Sequence, residues 1–227
     1  MIHIRKRFDV ISLLPLVWGT VISFGLLGIR FVVTSDDFYL FLPWNLLLAI
    51  VPFVISYGIL LYYSRKEKSF VLLLGLGLVW LIFFPNAPYI TTDFIHLAPR
   101  TGVPVWFDAL LILAFASTGL LSGYYSLSIM QLVVRSEYSV ASGWIFVFGS
   151  LVLASFGIYL GRFLRWNSWD LFLDPIRLTH DVVSRIFAPT VHTRFWVVSG
   201  LLLLFLIGSY MFLYWFLQGT SSLKRKK

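Results

Sequence analysis

The feature that most limits what this chain can become is a succession of apolar runs, 10–33, 43–63, 70–84, 105–130, 144–160 and 195–217, separated by short polar turns. A helix needs about 20 mostly apolar residues to cross the hydrocarbon of a bilayer, and most of these runs meet or approach that length. Composition agrees: 59% of the residues are hydrophobic and only 12% are charged, roughly half the charged share of a soluble domain. The expectation is an all-α integral membrane protein, a bundle of about six transmembrane helices forming one polytopic membrane domain over 1–227.

The same residues narrow the chemistry. There is no cysteine, which removes disulfides, thiolate nucleophiles and thiolate metal sites. The net charge of +8 is split among short turns instead of being gathered into a basic stripe, so nucleic acid is not an expected partner. Orientation accounts for the charge better. With the N-terminus inside, Arg5, Lys6, Arg7, Arg65, Lys66, Lys68, Arg135 and the closing Lys224-Arg225-Lys226-Lys227 all fall on the cytoplasmic side. Both termini are then cytoplasmic, and the first run, too long for a signal-peptide core, is an uncleaved span. The outer side keeps arginines and aspartates without lysine or glutamate. Arg and Asp make short, fork-geometry contacts, and Arg also takes phosphate or carboxylate through two parallel hydrogen bonds. A network of purely structural Arg–Asp pairs fits the same pattern.

The third run stops at Phe84-Pro85-Asn86-Ala87-Pro88-Tyr89. Each proline lacks an N–H and crowds the preceding turn, which predicts a broken element over about 85–96 inside the membrane boundary, with Asn86 satisfying backbone freed there. If an α-helix resumes after Pro88, Tyr89, Thr92, Asp93 and His96 share one face. Asp93 and His96 could then handle protons or share a metal. A structural hydrogen bond explains the pair as well, and a metal would need further ligands such as His180, Asp181 or His192. Asp108 is a carboxylate close to hydrocarbon and needs a partner, for which Arg162 or Arg100 is expected. The Gly119-x-x-x-Gly123 spacing lets another helix approach the fourth span closely.

Arg162, Arg165, Trp166, Asn167, Trp169 and Asp170 follow the fifth run. They read either as an aromatic belt with snorkelling arginines or as a cationic, aromatic-walled recess for a phosphate-bearing headgroup. Asp174-Pro175 looks like a helix start, with Asp as cap and Pro at the first position. From there to Phe187, Arg177, His180, Asp181, Ser184 and Arg185 fall on one face, and Ile176, Thr179, Val183 and Ile186 on the other. That spacing describes an amphipathic interfacial helix over 175–187. No serine nucleophile elbow, phosphate-binding glycine loop, zinc-protease helix or nucleotide fingerprint is present.

Three of these stretches carry a family likeness: Phe84 to Tyr89 with Thr92-Asp93 and His96-Leu97; Trp106-Phe107-Asp108 with Gly119 and Gly123; and Gly161 to Asp170. Together they resemble the bacterial multi-pass membrane family known as domain of unknown function thirteen sixty-one. The resemblance covers most of the chain from the second run onward. It implies a bacterial inner-membrane protein of this size, and no substrate, cofactor or mechanism.

The functional expectation is a polar site at the outer membrane boundary that binds or processes an anionic cell-envelope or lipid-linked compound. Asp93 and His96 are the candidate catalytic pair, while Asn86, Tyr89, Asp108, Arg162, Arg165, Asn167 and Asp170 are candidate binding residues. Cofactor and metal stay open. So do two other readings, a transporter of a small anionic solute or lipid and a membrane scaffold or assembly factor.

Overall fold

The computed structural model describes residues 10–65 and 67–224, with side chains for 13–65 and 67–216. Arg5, Lys6, Arg7, Lys66, Arg225, Lys226 and Lys227, on which the expected orientation leans, lie outside the described residues. The elements are helices: α1 (Val10–Thr34), a 3-10 turn (Phe38–Leu40), α2 (Phe41–Tyr63), α3 (Phe70–Phe83), α4 (Asn86–Tyr89), a 3-10 segment (Ile90–His96), α5 (Val105–Glu137), α6 (Val140–Leu164), α7 (Asp170–Leu173), α8 (Pro175–Phe187) and α9 (Thr193–Lys224). Among the described residues, six stretches are long and apolar enough to cross a membrane: Leu13–Thr34, Phe38–Tyr63, Phe70–His96, Val105–Glu137, Val140–Leu164 and Thr193–Phe216. The protein is all-α and multi-pass, with its third span broken.

Helix ends depart from the apolar runs wherever the chain lacks a breaker. Gln131 to Ser136 contains neither glycine nor proline, so α5 continues to Glu137. α6 likewise passes Gly161 and ends only where Arg165 adopts a left-handed backbone, with φ 62°, a common way to stop a helix. α3 is 14 residues long, or about 21 Å, short of the roughly 30 Å of hydrocarbon. The chain makes up the distance beyond Pro85 with α4 and the 3-10 segment.

The packing divides the chain into two compact units, 1–143 and 144–227. In the first, α5 is the hub on which α1, α2, α4 and the 3-10 segment pack, and α3 packs on α2. Tyr39, Leu42, Leu46, Ile90, Leu111, Ile112 and Phe115 fill its core. Gly119 and Gly123 are what admit the broken element: a Cβ at Gly119 would stand 2.6 Å from Ile90 Cγ2, and one at Gly123 would stand 2.7 Å from Ala87 Cβ. The expected close approach is therefore made by α4 and the 3-10 segment. A buried polar bridge ties three spans, with Trp80 Nε1 donating to Ser126 Oγ at 2.6 Å and Ser126 Oγ donating to the Pro52 carbonyl at 2.9 Å.

In the second unit, α6 and α9 meet through aromatic edges. Trp144 lies 4.9 Å from Tyr214, and Phe156 lies 5.0 Å from Phe195, ring centre to ring centre. α8 begins as its sequence demands, with the Asp174 side chain accepting from the Arg177 N–H at 3.3 Å and Pro175 in the first turn. Ile176 and Phe187 on its apolar face are 83% and 81% exposed, as suits a helix that lies in a membrane interface.

Candidate functional site

The broken element is built from backbone demand. Where α3 ends, the Phe83 carbonyl accepts from Asn86 Nδ2 at 2.9 Å, the satisfying role expected of Asn86. Thr91 and Thr92 then donate their hydroxyls to the carbonyls of Pro88 and Tyr89, each at 2.6 Å. Those three-residue closures favour the tighter helix. The consequence corrects one expectation. In a 3-10 helix side chains eclipse every third residue, so Ile90, Asp93 and His96 form one row, and Tyr89 and Thr92 stand in another. Ile90 and Asp93 are fully buried, while Tyr89 and Thr92 are only half-buried.

Asp93 points into the protein, where its carboxylate accepts from Asn45 Nδ2 of α2 at 2.9 Å. One turn on, His96 is held edge-on by Phe41 at 5.0 Å and by Phe38 at 6.2 Å. Phe38 carries on its own ring the Arg100 guanidinium, 3.3 Å from the ring centre. Aromatic rings of the turn before α2 thus connect Asp93 and His96 to a second polar group.

That second group forms at the end of the first unit where α1 finishes and α5 begins (the α1 end). Asp108, in the first turn of α5, is 1% exposed, and Arg30 of α1 is fully buried. The partner of Asp108 is Arg30, with Nε 2.9 Å from Oδ1, and not Arg162 or Arg100 as the sequence led us to expect. Chain separation hid it: the two residues lie 78 positions apart. Arg30 uses the rest of its fork on Asp36 Oδ2 and Thr34 Oγ1, both at 3.0 Å, and its face lies 4.7 Å from the centre of the Tyr39 ring. Asp36 is held below the ordinary carboxylate range, first by the Phe38 N–H it accepts and then, against the opposing effect of burial, by Arg30.

Arg162, Arg165, Asn167 and Asp170 belong to the second unit. Arg162 sits half-buried in the last turn of α6, and Arg165 is exposed. Asn167 and Asp170 serve each other: the Asp170 carboxylate accepts the Asn167 backbone N–H at 2.6 Å and its side-chain amide at 3.3 Å. The loop is docked on α8, because Trp166 Nε1 donates to Asp181 Oδ2 at 2.9 Å and Arg185 meets Asp181 Oδ1 at 3.0 Å. Burial pushes the Asp181 carboxyl upward, but these two donors outweigh it and hold it below its usual range.

Sequence reasoning had no role for Asn45 or Tyr39, and neither carries a motif. The signal that was available for Arg30 is its position, a lone cation at the end of an apolar span. Among the described residues no three His, Asp or Glu side chains gather as a metal site would require. No curated protein and no solved structure matches the chain. A family model matches residues 44–208, a stretch that holds every candidate residue from Asn86 to Asp170. The chain belongs to the family described as Protein of unknown function (DUF1361).

Proposed function

We propose that this protein binds or processes an anionic envelope or lipid-linked compound at the outer boundary of a bacterial inner membrane, with both termini in the cytoplasm. The observation that carries the reading is the 3-10 row of Asp93 and His96. It stacks a fully buried carboxylate, held by Asn45, one 3-10 turn from a half-buried imidazole flanked by aromatic edges. Asp93 and His96 handle protons in this reading, with Asn86 and Tyr89 beside them in the broken element, and arginines hold the anionic group. Ionisable side chains within membrane-spanning segments are costly unless they serve structure or function. In cells that depend on the protein, Asp93→Ala or His96→Ala should abolish function at unchanged levels of folded protein, and retained function would sink the catalytic version.

A scaffold reading draws on a different observation, namely that Asp108, Asp170 and Asp181 spend their oxygens inside the fold. Cross-linking in native membranes would then trap one abundant partner. The transporter reading draws on the broken third span and requires uptake of an anionic solute or lipid into proteoliposomes. Orientation is testable on the natural background, since the chain has no cysteine: a cysteine introduced at Thr101 should react with an impermeant maleimide from outside, and one at Ser136 should not.

A further inference from the structure

We propose that α8 and the turn 163–166 form a binding surface for anionic phospholipids, in which Arg177 and Arg194 contact headgroup phosphate and the apolar face of α8 lies among the acyl chains. Such a lipid belongs to the surrounding leaflet and is not the compound handled at Asp93 and His96.

α8 faces the wrong way for water. Ile176, Val183 and Phe187 are spaced by seven and four positions, which places them on one face of the helix, and that face is exposed. Phe172 and Leu173 of α7 and Val191 beyond α8 are largely exposed as well. The helix cannot roll to hide its apolar face, because its opposite side is tied down. Trp166 Nε1 donates to Asp181 Oδ2 at 2.9 Å, Arg185 donates to the carbonyl and the carboxylate of Asp181, and Trp196 Nε1 of α9 donates to the Arg185 carbonyl at 3.1 Å. A soluble surface rarely keeps so much apolar surface together in water. Chain length names what covers it. Residues 165–169 alone separate α7 from α6, residues 188–192 alone separate α8 from α9, and both flanking helices are long and apolar enough to cross a membrane. Linkers this short reach at most about 18 Å, so α7 and α8 stay at the membrane surface and the leaflet is the occupant.

Charge selects the headgroup. Between 162 and 194 stand five arginines and three aspartates, with no lysine or glutamate. The aspartates are spent within the fold: Asp170 on Asn167, Asp174 on the Arg177 backbone N–H, and Asp181, whose charge also reaches Arg177, on Trp166 and Arg185. The turn 163–166 gathers arginines from three elements. The Arg194 guanidinium of α9 lies 4.7 Å from the centre of the Phe163 ring, the Arg177 guanidinium of α8 lies 5.6 Å from that of the Trp166 ring, and Arg165 belongs to the turn itself. All three arginines are exposed. An aromatic ring attracts a cation but gives its N–H groups no lone pair, so their donors remain for an acceptor. Phosphate suits them, because a guanidinium fork matches two of its oxygens at once. Arginines already resting on rings also lose less freedom when a headgroup arrives.

The test uses the full chain, whose natural background has no cysteine. In nanodiscs of phosphatidylcholine and phosphatidylglycerol, spin labels at Ile176→Cys and Phe187→Cys should be reached by oxygen and shielded from a water-soluble nickel chelate. The reverse would put the face in water, to be covered by a protein partner instead, and would overturn the proposal. In maltoside detergent, native mass spectrometry of the folded protein should count more phosphatidylglycerol bound than phosphatidylcholine of the same chains. Arg177→Gln and Arg194→Gln should each weaken phosphatidylglycerol binding about fivefold, the effect of one arginine at an anionic lipid surface, and leave phosphatidylcholine binding unchanged. Equal binding of the two lipids by wild type, undiminished phosphatidylglycerol binding in either variant, or equal loss of both lipids would overturn the proposal. The Asp93 and His96 variants are read from cellular function, so failure there is separable from failure here.

Discussion

The two ends of the first unit use similar groups to opposite effect. At the α1 end, Arg30, Asp108 and Tyr39 meet with Arg30 and Asp108 each 1% exposed in their side chains. At the far end, Lys68 lies 3.0 Å from Glu137 and 3.7 Å from the centre of the Tyr63 ring, while Tyr63 donates to the same carboxylate at 2.8 Å. There the side chains of Lys68 and Glu137 are 29% and 46% exposed. A cation, a carboxylate and a tyrosine appear at both places, so the residue types do not decide what the cluster does. Water does. Removed from water, a pair is held in one geometry because separating it would strand a charge; in water, the same contact is weak and screened by salt. The choice of cation follows: Arg fills the dry site with a fork that reaches Asp108, Asp36 and Thr34 at once, and Lys fills the wet one.

The largest test of that contrast is Arg30→Gln. Leaving Asp108 buried without its cation should cost about 3–5 kcal/mol, seen as a lower unfolding temperature in lipid nanodiscs. Arg30→Met combined with Asp108→Leu should recover much of the loss. If the single variant unfolds with wild type, the cluster is wetter than its burial indicates. Gly102→Ala comes next. It puts a side chain on a left-handed backbone and against Thr34, at a cost of about 1–3 kcal/mol, and the unfolding temperature should fall accordingly. Lys68→Ala at the far end should be hard to distinguish from wild type, and any difference should vanish in high salt.

Alkali should also separate the two ends. Asp36 has a lowered pKa, so its tie is complete above the ordinary carboxylate range and is lost as pH falls through the lowered value. Lys68 behaves oppositely. Burial alone would lower its pKa, but the hydrogen bond to Glu137 outweighs it and raises the value, so its tie holds below the ordinary lysine range and is lost only as pH rises beyond it. Glu137 is also held low, by Tyr63 and Lys68, so amide exchange over 30–40 and 62–70, measured across pH, should show acid loosening both stretches and alkali only the second.

Much of this could be read from the chain. The six spans follow from apolar length, the start of α8 from Asp174 and Pro175, and the break in the third span from Pro85 and Pro88. Each of those signals is local, confined to residues within a turn or two. What escaped was set by distance or by fine geometry. Arg30 and Asp108 meet only because α1 packs on α5, and nothing at either position names the other. The 3-10 segment depends on two threonine hydroxyls closing on carbonyls three residues back, and that changed which side chains stand in a row with Asp93. Candidate residues in the loop after α6 were legible as polar and aromatic, but the mutual bond of Asn167 and Asp170 was not, because a short loop can spend the same groups inward or outward.

The most direct measurement sets the two ends side by side in a functional assay. Asp93→Asn and Glu137→Gln would each replace the protein in cells that depend on it, with folded protein quantified in the membrane. Glu137→Gln should support function and Asp93→Asn should not, at equal abundance. Full function from Asp93→Asn, or equal loss from both, would contradict an active site at the enclosed end.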